Sequence, residues 1–109
     1  MNVIYCAGPY SNGDVAVNVR TAIDAGAQLI QSGFAVIVPH TCHFMHIIHP
    51  QDYESWMAIF FELVTRCDGL YRIPGFSPGA DREVEYARQH GIPVFHSLES
   101  VCRHFEEAA

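Results

Sequence analysis

Positive charge is scarce in this chain: six Lys and Arg stand against twelve Asp and Glu in 109 residues, for a net charge of −6. A protein that grips a nucleic-acid backbone needs many cations to displace counterions, so this composition argues against such a partner. A small anionic ligand needs only a few donors and is not excluded. No apolar run is long enough to span a bilayer, and no basic segment precedes the strand-like Met1-Asn2-Val3-Ile4 start. Neither a membrane protein nor a secreted one is therefore expected. Cys6, Cys42, Cys67 and Cys102 are scattered, without a CxxC pair. That pattern fits a reduced, cytoplasmic protein, with Cys6 and Cys67 as small buried fillers. Repeats, linkers and low-complexity tracts are missing too, and the length suits a single domain over residues 1–109.

What the chain does have is apolar residues, 50% of the total, enough for a core. A domain this small gains from burying more surface against a second copy, which favours a homodimer. Val3 to Ala7 reads as a strand that ends in Gly8-Pro9. Asn12-Gly13 reads as a turn, and Asp14 as the N-cap of a helix running to Gln31. Val15, Val19, Ala22, Ile23, Leu29 and Ile30 give that helix its apolar stripe; Gly26 on the same stripe permits close packing, and Gly33 is the stop. Phe34 to Val38 is an unbroken apolar run, the mark of a strand buried on both faces. Thr41 to Gln51 is a His-rich connection with no clear structure of its own. Asp52 to Cys67 reads as a helix rich in aromatics. A strand Gly69–Ile73, a loop Pro74–Phe76, a helix Pro78–His90, a strand Pro93–Phe95 and a helix from about Leu98 to Glu107 follow. The β-α alternation predicts an α/β fold: a small doubly wound, flavodoxin- or Rossmann-like parallel sheet of four to five strands with helices on both faces.

In such sheets ligands bind beyond the carboxyl ends of the strands. Those ends are Gly8-Pro9-Tyr10-Ser11, Pro39-His40 and Pro74 to Ser77. Ser77 suits an N-cap and Pro78 the first helical position, which leaves the first-turn amides of that helix available to an anion. Glu83 lies under two turns further on. Tyr5, near the end of the first strand, needs a partner for its hydroxyl in a covered sheet; Glu83 or a backbone carbonyl can serve. His40 suits ligand contact, proton transfer or a structural role. His40, Cys42, His43, His46 and His49 form a dense group that a helical segment can bring to one face, but no pair has a zinc-finger or two-His helix spacing. A polar, partly exposed loop is the simpler reading, and no metal ligand is assigned. Glu62 and Asp68 are candidates for a second carboxylate. Asp14, Asn18 and Arg20 read as structural.

Ile4-Tyr5-Cys6-Ala7-Gly8-Pro9-Tyr10-Ser11 resembles the start of the nucleoside 2-deoxyribosyltransferase family. Asn18, Ala22, Leu29, Gly33 and Pro39-His40 are similar to its next block. Cys67-Asp68-Gly69-Leu70 and Gly79-Ala80-Asp81-Arg82-Glu83-Val84-Glu85-Tyr86-Ala87 resemble the block around its catalytic glutamate. The resemblance implies cleavage of the N-glycosidic bond of a nucleoside or nucleotide, with the sugar passed to another base or to water. It implies that Glu83 is the nucleophile, that Tyr5 orients it, and that Gly8, Pro9, Tyr10 and Ser11 border base and sugar. His40, Gly79 and Asp68 fall in its substrate-binding blocks. The family's transferases tend to carry an aspartate at the position of Ser77, and its deoxynucleoside 5′-monophosphate N-glycosidases a serine that contacts the phosphate. A serine at a helix N-terminus favours the monophosphate branch. Phe60 stands where an acidic residue is often found, and Glu85 where many relatives have a small one.

The expected chemistry is a retaining double displacement that needs no metal or organic cofactor. The expected partner is a small nucleoside or nucleotide. Two alternatives remain open on sequence: a nucleotide-binding module of the same fold without turnover, motivated by Phe60 and Glu85, and a metal-dependent protein using the His-rich connection.

Overall fold

Alternating apolar strands and amphipathic helices assemble, in a computed structural model that describes residues 1–108, into one parallel sheet flanked by helices. The elements are β1 (Val3–Ala7), α1 (Val15–Gln31), β2 (Ala35–Ile37), a 3-10 turn (Pro39–Cys42), α2 (His43–Ile48), α3 (Tyr53–Val64), β3 (Gly69–Arg72), α4 (Pro78–Gln89), β4 (Val94–Phe95) and α5 (Leu98–Ala108). The strand order is β2-β1-β3-β4, with every pair parallel. The chain leaves β1 toward β2 and then crosses back to lay β3 on the other side of β1. The carboxyl ends of β1 and β3 therefore flank a topological switch point, where ligands enter such sheets.

The two faces of the sheet are covered by different helices. Strand alternation sends Ile4 and Cys6 into one buried cluster with Ala22, Leu29 and Val101, under α1 and α5. Tyr5 and Ala7 go into the other, with Val64, Leu70, Ala80, Val84 and Ala87, under α3 and α4. Cys6 and Cys67 are buried free thiols within these clusters.

The caps explain the helix starts. Asp14 accepts the Val17 N–H at 3.2 Å, Asp52 the Ser55 N–H at 2.8 Å and Ser77 the Ala80 N–H at 3.1 Å. Gly33, at φ +94°, follows the end of α1 in a backbone region that a side chain would strain. Gly26 lets α1 sit close to the β2 edge, because a Cβ there would come within 2.8 Å of Val38 Cγ2. Arg82 of α4 grips both carboxylate oxygens of Glu54 at 2.8 and 3.1 Å and lies over the rings of Tyr53 and Phe61, fastening α4 to α3.

Two expectations need revision. The Phe34–Val38 run is not a strand buried on both faces: only Ala35–Ile37 pair, and all three are half-buried because β2 is an edge strand. The His-rich connection is ordered as the 3-10 turn and α2.

Burial predicts the order of mutational cost. Leu70 is fully buried on the inner strand β3. Leu70→Ala should cost about 2–5 kcal/mol of unfolding free energy in urea titrations. Val36→Ala, on the half-buried edge, should cost clearly less.

Candidate functional site

The site grows from one helix face. On α4 the buried residues are Ala80, Glu83, Val84 and Ala87, so a carboxylate occupies the apolar stripe that faces the sheet. Glu83 is only 5% exposed. Directly below it Tyr5, fully buried on β1, donates its phenolic hydrogen to Glu83 Oε2 in a short bond. Burial pushes the Glu83 carboxyl up to about 7; the Tyr5 hydrogen bond and the charge of Arg72 act in the opposite direction and offset part of that rise. Burial, reinforced by the neighbouring Glu83 charge, holds the Tyr5 phenol well above its ordinary range. Tyr5 is therefore a fixed donor rather than a proton carrier.

Arg72, the last residue of β3, has a largely buried side chain. Its guanidinium donates to the carbonyls of Ile73 and Gly75 and to the Asp81 carboxylate. It thereby braces the β3–α4 loop that delivers Ser77 and Glu83.

Beside Glu83 opens a cavity of about 610 Å³, a volume suited to a small organic ligand. Gly8, Tyr10, Ser11, His40, Ser77 and Gly79 all line it together with Glu83. Ser77 uses its Oγ lone pair for the Ala80 cap, and its own hydroxyl hydrogen has no acceptor among the described residues. His40 Nε2 donates to the Pro9 carbonyl at 2.9 Å, which fixes its tautomer. Burial lowers its pKa against the pull of the Pro9 and Gly8 carbonyls, so His40 is held neutral. Pro9 itself faces a second, smaller cavity of about 280 Å³ beside Asn18 and Phe76; its contribution here is the carbonyl that holds His40.

The remaining wall comes from the former His-rich connection and from α3. Tyr10 Oη and His43 Nδ1 are hydrogen-bonded at 2.5 Å. The Trp56 indole N–H donates to His46 Nδ1 at 2.8 Å, and Trp56 stacks on Phe60 with centroids 5.6 Å apart at 15°. His43 and His46 are thus committed to aromatic partners, and among the described residues no group of three or more His, Cys, Asp or Glu gathers to hold a metal.

Two carboxylates lie elsewhere. Asp68 is at the amino end of β3, where it accepts the Val3 N–H at 2.8 Å and donates its own N–H to the Val3 carbonyl at 2.8 Å. The length of the sheet separates it from the crevice, which corrects its assignment to substrate binding. Glu62 is exposed and lies 3.6 Å from Arg66. Glu85 also faces solvent. Glu83 is the sole carboxylate lining the cavity among the described residues. Sequence reasoning did not single out Arg72, Tyr53 or Trp56. A basic residue ending an apolar strand and an aromatic cluster opening a helix were the available signals.

A four-stranded parallel sheet with helices on both faces and a cavity at its switch point defines a small α/β fold. The chain belongs to the family described as a domain of unknown function, DUF4406, whose model matches residues 2–96. No curated protein sequence matches it. Among solved structures, it is similar to a 2-deoxyribosyltransferase from Bacillus psychrosaccharolyticus, with a TM-score of 0.55 and 22% identity over 84% of this chain and 69% of that one. This likeness is one of fold. A glutaminase domain of the Trypanosoma brucei CTPS, solved with bound acivicin, aligns at a TM-score of 0.43 and 16% identity over 87% of this chain and 35% of that one.

The raised Glu83 pKa has a thermodynamic consequence. A carboxyl that titrates near 7 when folded, against an ordinary value of 4.5, favours the folded state fully only below the lower value. That contribution is lost as pH rises through about 7. Relative to Glu83→Gln, the wild type should lose on the order of 3 kcal/mol between pH 4 and pH 8 in urea unfolding. Tyr5→Phe, which removes the donor, should move the Glu83 carboxyl titration to still higher pH in carbon-13 NMR.

Proposed function

We propose that this protein cleaves the N-glycosidic bond of a nucleoside 5′-monophosphate, or of a nucleoside, through a covalent glycosyl–Glu83 intermediate. The observation that carries the proposal is the buried Tyr5–Glu83 pair at the mouth of the sheet. The family resemblance of the surrounding motifs and the fold likeness to a 2-deoxyribosyltransferase point the same way.

In the first step a Glu83 carboxylate oxygen attacks the anomeric carbon. The carbon–nitrogen bond breaks, and its electron pair leaves with the base. Tyr5 donates to the carboxylate, favours its ionised form and holds it in line. In the second step water, or another base, attacks the anomeric carbon and frees Glu83; the proton that the incoming water or base loses passes to solvent or to the departed base. Ser77 and the first-turn amides of α4 bind the 5′-phosphate. Tyr10, Ser11 and His40 border the sugar and base. No cofactor takes part. The single domain acts as a cytoplasmic homodimer, a part of the proposal that light scattering showing only monomer would remove.

A second reading has its own observation. Paired carboxylates are the usual equipment for glycoside cleavage, and Phe60 presents a hydrocarbon ring to the cavity where relatives often have an acid. A nucleotide-binding module without turnover fits that wall.

Chromatographic detection of free base separates the two. Incubated with deoxyribo- and ribonucleosides and their 5′-monophosphates, with and without an acceptor base, the protein should release base from monophosphates. Glu83→Ala should lose at least about a hundredfold in rate. kcat/KM should rise with pH through about 7, the pH at which Glu83 ionises. Ser77→Asp should shift preference from monophosphates toward free nucleosides, because a carboxylate repels the phosphate. Nucleotide binding without product from any substrate would establish the module instead.

A further inference from the structure

We infer that His46 is the residue that reads the heterocycle of the ligand, and that Trp56 sets it up to do so; the inference rests on the nucleotide reading above. An indole N–H can only donate a hydrogen bond. The Trp56 N–H lies 2.8 Å from His46 Nδ1, so that nitrogen carries a lone pair. The backbone N–H of Gln51 points to the same atom at 3.4 Å. A neutral imidazole with a bare Nδ1 carries its hydrogen on Nε2. His46 is therefore locked as a donor at Nε2, and that atom has no partner among the described residues.

Its surroundings say what the donor meets. His46, Trp56 and Phe60 all line the cavity. Trp56 and Phe60 stack on each other and give this part of the cavity an aromatic, apolar lining, and the His46 ring stands edge-on to Trp56 at 6.0 Å and 65°. Elsewhere in the lining, Tyr10 Oη and His43 Nδ1 are spent on each other. The wall thus offers a ligand ring aromatic contact and an unpartnered N–H beside it. The matching group is an in-plane acceptor, a ring nitrogen or carbonyl oxygen of a nucleobase. Phe60 adds no carboxylate that would select for a donor edge. During bond cleavage the electron pair of the carbon–nitrogen bond moves into the base, and the His46 hydrogen bond strengthens as that charge accumulates. The hydrogen stays on Nε2, so His46 stabilises the leaving base without transferring a proton.

Two measurements test this. Two-bond proton–nitrogen correlation spectra of nitrogen-15 histidine-labelled protein should show one histidine with Nε2 protonated and Nδ1 bare, absent from His46→Gln. In Trp56→Phe the same resonances should move toward a mixture of tautomers. A proton on His46 Nδ1 would overturn the lock. Titration calorimetry with deoxynucleoside 5′-monophosphates and with ribose 5-phosphate, which lacks a base, then tests the ligand contact. His46→Ala should weaken mononucleotide binding about 3- to 10-fold and leave ribose 5-phosphate unchanged. His46→Gln, whose amide both accepts from Trp56 and donates onward, should restore most of the loss. Mononucleotide affinity unchanged in His46→Ala, or both ligands weakened equally, would overturn the assignment of His46 alone. A folded wild type that binds neither ligand would overturn the nucleotide reading and this assignment with it.

Discussion

A carboxyl group held away from water and hydrogen-bonded by a buried phenol is the constraint around which this molecule is arranged. Burial penalises the ionised form of Glu83, and in surroundings of hydrocarbon alone that penalty would leave the group neutral. Tyr5 supplies a fixed hydrogen bond and Arg72 a positive charge, and both return part of the ionised character. The result is a group poised in the neutral pH range rather than in the acid one. Each support comes from a different element: the phenol from β1, the guanidinium from the end of β3, the carboxyl from α4. The site therefore exists only when the sheet is assembled in its β2-β1-β3-β4 order.

That dependence explains why packing away from the cavity matters to it. Arg82, next to Glu83 in sequence, points outward and ties α4 to Glu54, Tyr53 and Phe61 on α3. The same α3 carries Trp56 and Phe60 on its cavity side. One helix pair thus sets both the carboxylate and the aromatic wall, and a shift of α4 against α3 changes the distance between them.

The sheet and its helices were legible in the sequence because period and punctuation agreed: Asp14, Asp52 and Ser77 cap the helices where the apolar stripes begin. The Tyr5–Glu83 pairing was legible in part: a phenol on a covered strand must find a partner, and Glu83 was one of two candidates, a backbone carbonyl the other. Other parts were not. Whether the Phe34–Val38 run is central or at an edge depends on strand order, which local pattern does not encode. Asp68 is near the motif blocks in sequence but at the wrong end of its strand, and only the register with Val3 reveals this. The histidines looked like a cluster because they are close along the chain. In space His40, His43 and His46 are each committed to a different aromatic or carbonyl partner.

Trp56 is the single tryptophan of the chain and lines the cavity. Its intrinsic fluorescence therefore reports from one place, the wall against which a ligand ring would lie. A planar ligand stacked there quenches or shifts the emission directly, with no background from other indoles. The molecule carries its own optical probe for screening what enters the crevice, and needs no label attached to it.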